Sequence, residues 1–277
     1  MRPKSSQGYK LSFSISSPCQ PSGLHHTLFT ISHQFIMKRK VLVTGATRGI
    51  GRAIAARLLN EGYTVYGTGT NRSAERCADI PDLEGVSWFD VDFSDRASVR
   101  EFLVALTEIG PLDGLVNNAG VNRIKPLDEV DQADYDFVHD TNLRSPYLVC
   151  REVIKGMSAQ GSGRVVNIAS IWSVISKVQR SLYSSAKTGL VGLTRALAVE
   201  SGPKGVLVNS VSPGFVVTDM TRESLSETQI ADLTAQVPMQ KMAAPEDIAE
   251  VVRFLLSPEN RYLTGQNIVV DGGFSIV

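Results

Sequence analysis

The sequence predicts an α/β protein: a single domain built on a doubly wound, seven-stranded parallel sheet with helices on both faces. Three observations lead there. Short apolar runs alternate with longer amphipathic runs from residue 37 to residue 277. The short runs are apolar almost throughout, as strands covered on both faces must be. A glycine-rich turn, "TGATRGIG" (44–51), joins the first short run to the first amphipathic one.

The elements follow in order. "KVLVTG" (40–45) reads as a buried strand, and "GIGRAIAARLLNEG" (49–62) has the three-to-four spacing of a helix. "TVYGTG" (64–69) and "VSWFDVD" (86–92) are short β-branched and aromatic runs, the second and third strands. A helix over 95–110 precedes the fourth strand, "LDGLVNNAG" (112–120). The segment 133–157 reads as one long helix, "GRVVNIAS" (163–170) as the fifth strand, and 182–202 as a second long helix. "VLVNSVSPG" (206–214) is the sixth strand, "PEDIAEVVRFLLSP" (245–258) a late helix and "GQNIVVDGG" (265–273) the seventh strand. The long helical interruption 219–242 is a candidate lid, because ligands of such sheets bind beyond the carboxyl ends of the strands.

Composition narrows the partners. Lys plus Arg equals Asp plus Glu at 28 each, so no basic excess points to nucleic acid or a membrane surface. No apolar run reaches the ~18 residues of a spanning helix. Cys19, Cys77 and Cys150 are scattered, and three of the four histidines precede residue 34. That spacing offers neither a disulfide framework nor a metal site. Residues 1–36 hold eight serines, three Lys or Arg and no acid. They read as a disordered leader: a transit-like segment directing organelle import, or a stretch ahead of a true start at Met37. With a start at Met37 the expected location is the cytoplasm.

The glycine turn carries the first chemistry. Gly45, Gly49 and Gly51 let the backbone approach a pyrophosphate, and the helix behind them offers unpaired N–H groups. NAD enzymes place an acid near the end of the second strand to hold the ribose hydroxyls. Here "GTGTNRS" (67–73) has none. Thr70 would not repel a 2′-phosphate, and Arg48 and Arg72 either reach it or serve as surface charge. The expected cofactor is NADP(H), with NAD(H) still accommodated.

"YSSAK" (183–187) puts Tyr183 four residues before Lys187, on one helix face. Alone, that spacing also fits an ordinary amphipathic pair. Together, "TGATRGIG", "NNAG" (117–120), Ser170 and "YSSAK", in this order, closely resemble the short-chain dehydrogenase/reductase family over essentially all of 37–277. The resemblance implies a Rossmann-type fold and roles for particular residues. Tyr183 would be the general acid in ketone reduction, and the base in reverse. Lys187 would lower its pKa and hold the nicotinamide ribose. Ser170 would bond the substrate carbonyl. Asn142 would hold a relay water, or else simply kink its helix. Thr47 and Ile50 belong to the phosphate turn. Asp92 and Phe93 would flank adenine, and Asn118, Ala119 and Gly120 the adenosine ribose. Val216 and Thr218 would meet the carboxamide, with Thr218 a rival cap for the following helix. A non-catalytic dinucleotide-binding regulator would be expected to lack the Tyr or the Lys.

Within the family, "VVTDMT", "PEDIAEVVRFL" and the closing "GG" look most like 3-oxoacyl-[acyl-carrier-protein] reductases. An acyl-thioester substrate, with acyl-carrier protein as partner, is therefore the first expectation. A sugar, polyol or other small hydroxy compound is the second. One basic docking position of such reductases is Gly161 here; the other is matched by Lys204. Trp172 could stack on a sugar or cap an acyl chain, and Arg180 could bind an anionic substrate or lie in solvent. The family resemblance implies a homotetramer or homodimer. The apolar "LVGLTRALAV" (190–199) suits either an interface or a fully buried helix.

Overall fold

The computed structural model describes residues 38–70, 75, 77, 80–218 and 226–277. The leader, Asn71, Arg72 and the first part of the candidate lid lie outside the described residues. Seven strands form one parallel sheet: β1 (Lys40–Val43), β2 (Thr64–Gly69), β3 (Ser87–Asp90), β4 (Gly114–Asn117), β5 (Gly163–Ile168), β6 (Val206–Pro213) and β7 (Asn267–Val270). Their order is β3-β2-β1-β4-β5-β6-β7. Val41 of β1 therefore sits between Val65 of β2 and Gly114 of β4. The chain reverses its direction of winding between β1 and β4, so a crevice opens beyond their carboxyl ends.

Strand alternation separates two cores. Val41 and Val43 point to one face, where α1 (Gly49–Asn60) and α7 (Pro245–Leu256) supply Ile54, Leu58, Ile248, Val252 and Leu255. Leu42 and Leu115 point to the other, against Phe102 of α2 (Arg96–Glu108) and Val149, Val153 and Met157 of α4 (Ser145–Gln160). Each such side chain, fully buried, contributes about 1.5–3 kcal/mol.

The strands are shorter than the apolar runs suggested. The fourth ends at Asn117 rather than 120, and the first at Val43 rather than 45. Their last residues leave the ladder because side chains capture the backbone: Thr44 Oγ1 accepts from the N–H of Asn118 at 2.9 Å and of Ala119 at 3.0 Å.

The long helix expected over 133–157 is interrupted. α3 (Gln132–His139) passes through a π-helical turn, Asp140–Arg144, into α4. There the Ser145 N–H bonds the carbonyl of Asp140, five residues back. Pro146 has no N–H to give the carbonyl of Asn142 four residues earlier, so the register slips by one residue.

The second long helix, α5 (Ser181–Ser201), buries Leu190, Val191, Thr194 and Ala198 and leaves an outer face. Val199 is 78% exposed, so the apolar run is not fully buried within one chain. Of the candidate lid, α6 (Glu227–Ala235) is described; Ser226 caps it, accepting from the Gln229 N–H at 3.3 Å.

Candidate active site

The glycine turn is a fitted cradle. Gly45 and Gly49 hold φ +64 and +54, the left-handed region. A Cβ on Gly51 would stand 2.1 Å from the carbonyl oxygen of Gly45, so only glycine fits. Asn118 Nδ2 donates to the carbonyls of Thr44 and Gly45, each at 3.0 Å, and stitches β4 to the turn. The Gly45 N–H donates to Thr68 Oγ1 at 3.0 Å. Arg48 sits at the N-cap of α1 without capping it, which leaves the first N–H groups open to an anion.

A cleft of about 360 Å³ opens over this turn. Thr47, Arg48 and Ile50 line it from the turn, and Thr70 from the end of β2. Asp92 and Phe93 line it after β3, and Asn118, Ala119 and Gly120 after β4. Thr218 closes one side; a Cβ on Gly49 would lie 3.4 Å from its methyl group. Val216 does not line the cleft: its side chain is buried in the α1–α7 core, and its backbone bridges to Ala243. The segment following Thr218 lies outside the described residues, and with it the helix it was expected to cap.

Sequence reasoning missed Thr141. It lines the cleft, and its hydroxyl is buried without a hydrogen-bond partner. An orphaned buried polar atom needs one. With the glycine cradle and the open helix end, it fits a bound dinucleotide. Also missed was the clamp on the π-turn: Arg96 Nε donates to the buried Asp140 carboxylate at 2.7 Å, and Ser145 Oγ to the carbonyl of Phe93 at 2.9 Å.

Tyr183, Lys187, Asn142 and Ser170 do not themselves line the cleft; Lys187 and Asn142 approach it behind Gly120. Lys187 is 3% exposed, and its ammonium donates to the carbonyl of Ile168 at 2.7 Å. A Cβ on Gly120 would stand 3.5 Å from this ammonium and 3.2 Å from Asn142 Oδ1. Asn142 is fully buried in the π-turn, and its amide brackets Val121: it accepts from the N–H at 2.9 Å and donates to the carbonyl at 2.7 Å. Ser170 follows β5; its hydroxyl accepts from the Trp172 N–H at 3.2 Å and favours the phenolate of Tyr183.

One electrostatic expectation is corrected. Lys187 was to acidify Tyr183, but the phenol lies above its ordinary range because burial disfavours the phenolate. The Ser170 hydrogen bond and the Arg180 charge oppose that rise. The Lys187 ammonium lies 5.7 Å from the tyrosine ring centroid, bonded to Ile168. Its own pKa falls to about 8 through burial.

The loop after β5 carries Trp172 and Arg180. The guanidinium carbon of Arg180 lies 5.6 Å from the Trp172 ring centroid. Trp172 packs edge-on against Phe215 at 6.4 Å. Gly161, the missing docking position, is the C-cap of α4 at φ +74, where a side chain is strained. A larger groove, about 530 Å³ between α2 and α4, shares no residue with the cleft. Among the described residues no group of three His, Cys, Asp or Glu is placed to hold a metal, and no helix is long and apolar enough to cross a membrane.

This fold and site define a nicotinamide-dinucleotide-binding oxidoreductase. The family model for enoyl-(acyl carrier protein) reductase matches residues 45–275. The chain is 38% identical over 238 residues to the 3-oxoacyl-[acyl-carrier-protein] reductase FabG of Vibrio cholerae, covering 85% of this chain and 97% of that one. Among solved structures it superposes on a candidate gluconate dehydrogenase from Agrobacterium tumefaciens (TM-score 0.81, 34% identity, 86% of this chain and 96% of that one). It also superposes on ElxO with NADP bound (TM-score 0.80, 31% identity, 86% and 99%). The chain belongs to the short-chain dehydrogenase/reductase family.

Proposed function

We propose that this protein reduces a ketone to a secondary alcohol with NADPH, and runs the reverse oxidation, through Tyr183, Ser170, Lys187 and Asn142. The observation that carries the reading is the approach of the Lys187 ammonium and Asn142 to Gly120, which lines the cleft, one helical turn from the Tyr183 phenol. Bound nicotinamide supplies the hydride. Ser170 directs its hydroxyl at the substrate carbonyl. A phenol kept protonated by burial is ready as an acid, and Tyr183 gives its proton to the oxygen as negative charge develops there. The Lys187 ammonium then offsets the phenolate, and a water held at the π-turn of Asn142 returns a proton from solvent.

The preference for NADP(H) rests on two features. No carboxylate stands at residues 67–70, where it would repel a 2′-phosphate, and Arg48 borders the cleft. ElxO, which this chain resembles, binds NADP.

For the substrate, the named relatives support a 3-oxoacyl thioester, with Lys204 as the one retained basic docking residue. The Trp172–Arg180 pair beside Tyr183 favours a second class, a small polar hydroxy compound. The outer face of α5, with Val199, and the exposed Tyr147 of α4 support assembly into a dimer or tetramer. A panel followed by loss of NADPH absorbance tests the reading: acetoacetyl thioesters, keto sugars and simple ketones. Consumption with at least one ketone class, and slower consumption of NADH, is expected. No consumption with any class removes the enzymatic reading.

A further inference from the structure

We infer that the substrate of this site carries a carboxylate close to its reacting carbonyl, and that Arg180 binds it. The inference rests on the ketone-reduction reading and selects the substrate class within it. Arg52, Arg57, Arg96, Arg123, Arg144 and Arg253 each lie against a carboxylate. Arg180 is in no such pair among the described residues, and its Nε, like Arg164 Nε and Arg144 Nη1, is buried without a hydrogen-bond partner; of these three arginines Arg180 is the one three residues from Tyr183. A buried, unsatisfied guanidinium nitrogen is unfavourable unless a ligand completes it.

Its position selects the ligand. Arg180 is the N-cap of α5, three residues before Tyr183, which places it over the face that bears the phenol. Its positive charge is felt at that phenol. The Trp172 ring lies 5.6 Å from its guanidinium carbon. Gln179 ahead of it holds φ +64, a conformation a long side chain rarely adopts. The turn thus spends backbone strain where the arginine projects. A guanidinium fork matches a carboxylate in two parallel hydrogen bonds, whereas a 3-oxoacyl thioester has no anion near its ketone.

The test compares acetoacetate and 2-oxogluconate with neutral counterparts, methyl acetoacetate and the acetoacetyl thioester of N-acetylcysteamine. Wild-type kcat/KM should favour acid over ester by on the order of 30-fold, the range of a charge-assisted hydrogen bond. Arg180→Gln should collapse that acid-to-ester ratio to near unity, and Arg180→Lys should keep part of it. A parallel reading needs no turnover: 3-hydroxybutyrate and gluconate binding to Tyr183→Phe loaded with NADP should weaken about tenfold or more on adding Arg180→Gln. Equal loss on acid and ester, a wild-type preference for the thioester, or failure of both carboxylates to bind would overturn the inference. A preference for dihydroxyacetone phosphate over dihydroxyacetone, without one for the carboxylates, would reassign Arg180 to phosphate and overturn it too. If no ketone is reduced yet the acids bind through Arg180, the reaction reading fails and this one stands.

Discussion

The Lys187 ammonium donates to the carbonyl of Ile168 at 2.7 Å, which pins it at the end of β5 beside Gly120. It is a charge held out of water with no ion-pair carboxylate among the described residues. Burial accordingly brings its pKa from 10.5 to about 8.

A pH dependence follows. In the enzyme without cofactor the ammonium loses its proton as pH passes about 8, so kcat/KM for NADPH should fall above that value. A profile flat to pH 10 would place the charge elsewhere. Stability runs the other way. The unfolded lysine holds its proton up to about 10.4, so between about 8 and 10 the unfolded chain binds more protons and stability rises with pH. Below 8 the buried ammonium is a cost, and Lys187→Met should raise urea stability at pH 7 by on the order of 1–3 kcal/mol while removing activity.

Gly51→Ala should abolish dinucleotide binding, because its Cβ would lie 2.1 Å from the Gly45 carbonyl and the turn must deform. Fluorescence titration with NADPH measures it. An affinity within threefold of wild type would show that the turn is not the cradle.

Thr70→Asp places a carboxylate at the end of β2, where a 2′-phosphate is expected. The NADPH-to-NADH ratio of kcat/KM should fall by on the order of tenfold or more, the size of one like-charge contact at close range. An unchanged ratio would refute the NADP(H) preference.

A buried polar chain links the sheet to α5. Asn117 Nδ2 donates to Asn167 Oδ1 at 2.8 Å, and Asn167 Nδ2 donates to Thr194 Oγ1 at 2.9 Å. Asn167→Leu removes one partner from each end, leaving Cys150 Sγ to Asn117 and the Leu190 carbonyl to Thr194, so it should cost about 1–3 kcal/mol in urea unfolding. A loss under 1 kcal/mol would mean the chain is not holding α5.

The sheet was legible because buried parallel strands are apolar runs and the glycine turn punctuates the first of them. The positions proposed as catalytic were marked by the family resemblance that the glycine turn, "NNAG", Ser170 and "YSSAK" carry together. The π-turn was not: it depends on Pro146 and on Arg96 clamping Asp140 across 44 residues. Nor was the direction of the Tyr183 shift, since burial is a property of the folded surroundings. The isolation of Arg180 was hidden for the same reason: a missing partner leaves no mark in a sequence. Thr141 carries no signal in the sequence; its unpaired hydroxyl is visible only in the fold.

Removal of one oxygen tests the central claim most directly. Tyr183→Phe should lower kcat for ketone reduction by on the order of 10²–10⁴, the usual loss of a positioned proton donor, while NADPH affinity stays within threefold. A variant that keeps more than a tenth of wild-type turnover would contradict the account.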